Sequence, residues 1–337
     1  MKKTLLLGLI LGILLLALGG MLAYLNTLGY LFNPATNALR VWNDRGMASV
    51  VSIDRFQAFD GKVVFGKSVS LIHGDWSKAK EVVIENGVQR IGDRVFEEST
   101  ADIYIPASIE EIGIEALWNV EGVITTDSQQ THYLSQDGML IDLDTKTLIS
   151  ISPWVSEIEI PECVEHIGSF ACAWKDNLKK VSMPYKVLTI SFAAFSDCEN
   201  LTEVQLSDAL LEIWEEAFYG CPISVLIFPP NVEFKSIERQ GMFRGTRGFV
   251  FSDDDAIIDG MNFRNRALKF MAFLDKPPKH LDMSLFKSDY TSNCYGDDVV
   301  IYYLNSNKQY WAPNGETEWN GVPIIGVDSL DDLPPLE

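Results

Sequence analysis

The chain has 337 residues, of which 47% are hydrophobic and 22% charged, with 47 Asp and Glu against 27 Lys and Arg. A chain of this length and apolar content buries a substantial core, which sets aside an intrinsically disordered protein. Its net charge of −20 repels nucleic acid and anionic lipid, while the acidity itself reads as a solubility device before it reads as a partner signal.

In chain order, Lys2 and Lys3 come first and an apolar run from Leu5 to Leu25 follows. About 20 such residues cross a bilayer as a helix, so residues 1–25 read as a cytoplasmic tip and a transmembrane signal-anchor, with the span at 4–25. By the positive-inside rule the lysines stay in the cytoplasm and the rest of the chain lies outside. The alternative is a secretory signal cut near Ala17-Leu18-Gly19, which releases a secreted form. No lipobox cysteine follows the run and Leu333–Glu337 has no wall-anchoring pattern, so the expected anchor is N-terminal or absent. A linker at 26–46 contains Asn33-Pro34, and a leading β segment at 47–78 has VVSI and GKVVFG as strands.

From residue 79 an internal repeat dominates. Five stretches share one pattern: Val82–Phe96, Ile103–Leu117, Ile158–Ala171, Val181–Phe195 and Val204–Phe218. The ninth residue after each start is Ile91, Ile112, Ile167, Ile190 and Ile213, and the sixth is Val88, Ile109, Val164, Val187 and Leu210. Alanine fills the thirteenth place at Ala116, Ala171, Ala194 and Ala217. A looser copy starts at Leu226, with its isoleucine displaced to Ile237.

Alternating apolar residues at each start predict a short strand with one buried face, and the proline that often follows ends it by removing a ladder donor. The second apolar pair returns the chain inward, and Ala-Phe fits a helical or 3-10 turn. One such coil cannot bury its own apolar side, but stacked coils can. The expected fold is therefore a mainly β repeat solenoid, a parallel strand ladder with short helical or 3-10 turns, preceded by one transmembrane helix. It runs over 79–245 with a hairpin insertion near 122–152, and 246–337 forms a C-terminal capping region with a degenerate repeat. Within that region Leu268–Leu274 reads as a strand or short helix stopped by Pro277-Pro278.

These repeats resemble the BspA-like bacterial leucine-rich repeats, whose units read VTIPxSVTSIGxxAFxxC. His132–Ser152 looks like the hairpin insertions of that family, and Val299–Ile325 like its terminal segment. Trp214 and Ser191 in the glycine place and Cys172 in the phenylalanine place depart from the pattern. The resemblance implies a cell-surface or secreted location and a role in adhesion or protein recognition, with no catalytic residues.

Five cysteines, Cys163, Cys172, Cys198, Cys221 and Cys294, form no C-x-x-C pair, and with four scattered histidines they assemble no zinc site. Cys198 and Cys221 share one repeat phase, so they are either a disulfide between coils or two small buried thiols, the second being how core cysteine usually sits. Ser252-Asp253-Asp254-Asp255 with Asp259, and Asp297-Asp298, lack calcium-loop spacing and read as turns. Gly-x-Ser-x-Gly, a phosphate-binding glycine loop and His-Glu-x-x-His are absent, so no enzyme and no cofactor is expected. His166 reads as a surface histidine.

The binding candidates are the outward strand positions Val83, Tyr104, Glu159, Ser182, Gln205 and Ile227, which stacking aligns on one face. Two readings stand for Trp214: an exposed recognition anchor, or a plug for a gap between coils. Tyr104, Glu159, Ser182, Gln205 and Trp214 make up the candidate site. The expected function is a membrane-anchored cell-surface protein that recognises another protein, with an accessory or scaffold role in a membrane complex as the alternative. The residues leave the ligand and the oligomeric state open.

Overall fold

The computed structural model describes residues 30–33, 38–41, 61–235, 241–253, 256–260, 262–263, 265, 267–286 and 299–334. The expected span at 4–25, the VVSI strand, Ile237, Asp254, Asp255, Cys294, Asp297 and Asp298 lie outside these residues. Among the described residues no helix is long and apolar enough to cross a membrane. The chain divides into two compact units, Met1–Gln136 and Asp137–Glu337.

In the first unit each coil contributes a longer and a shorter strand. Two strands, Tyr30–Asn33 and Ala38–Val41, lie within the segment expected to be linker. They pair antiparallel, and Ala38–Val41 then runs parallel to Lys62–Phe65, which pairs with Glu81–Ile84. Ile103–Ile105 pairs in parallel with Ile124–Thr126. The short strands Leu71–Ile72, Arg90–Ile91 and Glu111–Ile112 form a second parallel ladder, with Ile72, Ile91 and Ile112 in register.

In the second unit the hairpin of Met139–Asp142 and Thr147–Ile151 carries a bulge between Leu140 and Ile141. Thr147–Ile151 then starts a parallel ladder through His166–Ile167, Thr189–Ile190, Glu212–Trp214 and Glu233–Lys235. Leu148, Ile167, Ile190, Ile213 and Phe234 stand in register as one column, and the first four are fully buried. Burying each such side chain contributes about 1.5–3 kcal/mol. The longer strands Glu157–Glu159, Lys180–Ser182 and Glu203–Gln205 pair with Ile158, Val181 and Val204 in register.

The parallel ladder continues into the region expected to cap the solenoid. Val225–Phe228, Gly248–Phe251, Phe270–Phe273, Val300–Leu304 and Val322–Val327 pair in sequence. Phenylalanine replaces the aliphatic repeat residues here. Phe228, Phe243, Phe249, Phe251 and Phe263 pack with ring centroids 5.1–6.1 Å apart around Phe228. The column Phe195, Phe218 and Phe243 stacks at 5.2 and 6.2 Å and joins them to the aliphatic coils.

The third side of each coil departs from expectation. It is a run of overlapping turns, and among the described residues the helical segments are the 3-10 stretches Met283–Phe286, Asn305–Asn307 and Leu330–Asp332 and the short α-helix Lys308–Trp311. Alternate N–H groups close local turns, as Ala171 does to Gly168 and Ala173 to Phe170, while Phe170, Cys172 and Trp174 donate to Phe192, Ala194 and Ser196 of the next coil. A helix would direct every N–H back along its own axis and leave the next coil unbonded. The first turn of each run, such as Gly168–Ala171, has a left-handed residue at its third position, as in a type II turn. Glu115, Phe170, Ala193 and Glu216 hold it, and Glu98, Asn119, Trp174 and Asp197 hold a second one four residues after Arg94, Glu115, Phe170 and Ala193. Left-handed backbone costs an ordinary residue about 1–2 kcal/mol, and the bonds between coils offset that cost.

Glu98 is exposed at φ 56° and donates its N–H to Trp118 O. Urea denaturation is expected to find Glu98→Gly at least as stable as the parent and Glu98→Val about 1–2 kcal/mol less stable. The opposite ranking would show that the left-handed conformation is not imposed by the coil.

Candidate functional site

Glu159, Ser182 and Gln205 close three successive strands of the second unit and stand in register. Their neighbours two residues back, Glu157, Lys180 and Glu203, form a parallel row, also in register. Ladder steps of about 4.8 Å put the members of each row within side-chain reach of one another. Lys180 Nζ lies 2.9 Å from Glu203, whose hydrogen bond and charge raise the ammonium pKa above its ordinary value. The Ser182 hydroxyl donates to Gln205 Oε1 at 3.3 Å. The result is a polar plate of six side chains, four of them charged, with Glu157, Lys180 and Glu203 alternating in sign along one row. Ile158 and Val181 beneath it are buried, which leaves the plate on a rigid floor.

Ile227 is 50% exposed, but its strand belongs to the next sheet, where Ile227 pairs with Val250. Trp214 is not brought to the plate. It lies on the short-strand ladder in register with Lys235, half-buried, with its indole N–H donating to Glu212 Oε2 at 3.2 Å. On the same ladder Thr147, His166, Thr189, Glu212 and Glu233 align, and His166 Nδ1 lies 2.8 Å from Thr189 Oγ1. His166 is half-buried in this row.

Tyr104 belongs to the first unit, opposite Thr125, and Val83 of that unit pairs with Val64. The Tyr104 hydroxyl donates to Asp127 Oδ2 at 2.7 Å. This bond lowers the Asp127 carboxyl pKa and raises that of the phenol. A depressed folded pKa means stability present above the unfolded value of Asp127 and lost as pH falls through the folded one. In Tyr104→Phe the Asp127 carboxyl is expected to titrate at a higher pH, followed by NMR of its side-chain carbonyl. An unchanged midpoint would show that the phenol does not hold the carboxylate.

The four described cysteines, Cys163, Cys172, Cys198 and Cys221, are free thiols. Cys198 donates to Cys172 O at 2.9 Å and Cys221 to Phe195 O at 2.8 Å, both fully buried. Burial pushes the thiols of Cys172 and Cys221 up, which keeps them protonated and unreactive. Cys163 is exposed. Asp253 accepts the Asn231 N–H at 3.0 Å and Ser252 donates to Phe228 O at 3.0 Å, so both serve the bonding between coils. Among the described residues no three His, Cys, Asp or Glu side chains converge on a point that could hold a metal.

Exposed aromatics that the repeat pattern did not single out include Trp154, Trp174, Tyr185 and Tyr310. Trp174 stacks on Phe170 at 5.7 Å, and Phe170 meets Phe192 edge-on at 5.3 Å. The signal for them was present only as aromatic residues at positions that the repeat leaves free.

The family described as BspA type leucine rich repeat region matches residues 75–137 and 152–289, in six copies and over more than half of the chain. The chain belongs to the BspA-type leucine-rich repeat family. Among curated proteins none matches it. Among solved structures, the pneumococcal vaccine antigen PcpA is 19% identical, with a TM-score of 0.53 and 79% of each chain covered. A leucine rich cell surface protein from Faecalibacterium prausnitzii A2-165 is 21% identical with a TM-score of 0.53, over 79% of this chain and 66% of its own. At these identities the likeness is one of fold. The BspA-type register explains why the plate is built from strand ends: inward places are reserved for the column residues, so only the outward ones vary freely.

Proposed function

We propose that this BspA-type protein recognises another protein at the cell surface and is held there by its apolar segment at residues 4–25. The plate of Glu159, Ser182 and Gln205 with Glu157, Lys180 and Glu203 serves as the contact face, and Tyr104 and Trp214 act as further contact residues on their own ladders. The observation that carries this reading is the in-register plate: polar side chains fixed at ladder spacing on a buried floor bind with little ordering cost. The description of the Faecalibacterium structure as a cell surface protein is in keeping with the location. The mixed charge of the plate favours a partner with matching alternating charge and gives its binding a dependence on salt.

A bait spanning 27–337 is expected to capture a partner that is lost when Glu159, Ser182 and Gln205 are replaced by Lys, Arg and Arg. Equal capture by both baits would remove the plate from the interface. Recovery of nothing but the cell's own membrane proteins would turn the reading towards an accessory role in a membrane complex.

For the anchor, the full chain is expected to sediment with membranes, and protease added to intact cells should degrade the repeats. A chain found in the medium with a new N-terminus would instead make it a released binder, and one protected from protease would remove the surface location.

A further inference from the structure

The net charge of −20 is not spread evenly over the first unit. Residues 26–80 contain seven Lys and Arg against four Asp and Glu, whereas residues 81–136 contain two against eleven. The change follows the stack. The coil at 61–80, with strands Lys62–Phe65 and Leu71–Ile72, holds Lys62, Lys67, Lys78 and Lys80 against Asp75. The coil paired with it, built on Glu81–Ile84 and Arg90–Ile91, has five acids between Glu81 and Glu98 against Arg90 and Arg94. Beyond Arg94 the unit has no Lys or Arg, and six acids follow from Asp102 to Asp127.

Most of the basic charge in the coil at 61–80 faces water. Lys62 forms an ion pair with Glu81 of the neighbouring coil, but Lys67, Lys78 and Lys80 are exposed. Asp75 is half-buried and accepts the Ser77 N–H at 2.9 Å. Arg40 lies opposite Val64 in strand Ala38–Val41, on the far side of this coil from the acidic ones. The stack is therefore positive at one end and negative at the other.

The positive end is also the end at which the apolar run stops. Strand Tyr30–Asn33 opens the ladder by pairing with Ala38–Val41, and only residues 26–29 separate it from Leu25. Five residue steps reach about 17 Å at full extension. A headgroup layer is roughly 6 Å deep, and the Debye length at 0.1 M salt is about 10 Å. So short a tether fixes which end of the stack meets the bilayer, and the sign of the charge decides whether that end is held or pushed away.

We propose that the coil at 61–80 docks on anionic headgroups of the bilayer entered by residues 4–25, and that the charge gradient turns the acidic coils of the first unit away from it. This orientation rests on the anchor reading above and adds lipid charge as a second partner. Lysines near an anionic surface are attracted to it, while the carboxylates of the later coils are repelled by the same field. The two forces act on opposite ends of one stack and so orient it.

The test places the full chain in nanodiscs of phosphatidylcholine with or without phosphatidylglycerol. A fluorophore at Ser68→Cys or at Ser128→Cys, both exposed, reads quenching by a nitroxide-headgroup lipid in a Cys163→Ser, Cys294→Ser background. In anionic discs the label at 68 is expected to be quenched and the label at 128 not. Lys67→Glu with Lys78→Glu, or high salt on the parent, should reduce quenching at 68 at least about threefold. In phosphatidylcholine discs quenching at 68 should be weak and indifferent to both changes. Equal quenching at 68 in the two lipids, or quenching that neither change moves, overturns the docking, because the tether alone then accounts for it. Both labels quenched alike overturns the orientation. A chain that elutes apart from the discs sinks the anchor reading and the docking with it. A chain that stays with the discs and shows no quenching at 68 sinks the docking alone.

Discussion

A coil of about 22 residues has one apolar side and no means of burying it alone. Everything else in these two units follows from stacking such coils in fixed register. Leu148, Ile167, Ile190, Ile213 and Phe234 meet at ladder spacing because each lies at the same place in its own coil. The backbone repeats the constraint: N–H groups on the strands and turns look for a carbonyl on the adjacent coil. A buried N–H without a partner costs more than a bent backbone, so the turns accept left-handed residues instead of forming helix. Strands of two or three residues suffice because stacking, not strand length, supplies the pairing.

The same constraint divides the residues into two populations. Inward places carry the packing and change little in character along the stack, apart from the passage from aliphatic to phenylalanine beyond Phe228. Outward places carry none of it and are free to differ between coils. In one stretch they form a plate of charged and polar groups, and in the next they form an apolar strip on which Leu330 and Leu333 pack. The polar plate and the covered strip are two uses of the same position in the coil. The plate presents charges and hydrogen-bonding groups held in register. The strip is apolar, and the molecule keeps most of it out of water.

Much of the architecture was legible because burial imposes a period on the sequence. The apolar residues of the sixth and ninth places and the alanine of the thirteenth are buried in nearly every regular coil, so packing restricts what fits there. The turn side was not legible. A left-handed residue is normally announced by glycine or asparagine, and Glu115, Phe170, Ala193 and Glu216 announce nothing. The strand at Phe270–Phe273 and its pairing with Val300–Leu304 were obscured by the uneven lengths of the last coils, although Val299–Ile325 had the look of a terminal segment. The pairing of Ala38–Val41 with Lys62–Phe65 was hidden for a simpler reason, since the preceding Asn33-Pro34 reads as linker.

What the sequence determined by itself is the phase of the regular repeats, their inward residues, and membership of the BspA-type family, because each repeat must meet the same packing condition locally; how far the stack of coils extends was not among them. What only the tertiary structure decided is which outward residues become neighbours. Glu159, Ser182 and Gln205 are 23 residues apart in the chain yet adjacent on one ladder, while Trp214, nine residues beyond Gln205, lies on another. Leu330 and Leu333 reach Val250 and Ala272 in the same way. Proximity on a solenoid surface is set by how coils stack and where the chain finally returns, and neither is written in the local pattern of apolar and polar residues.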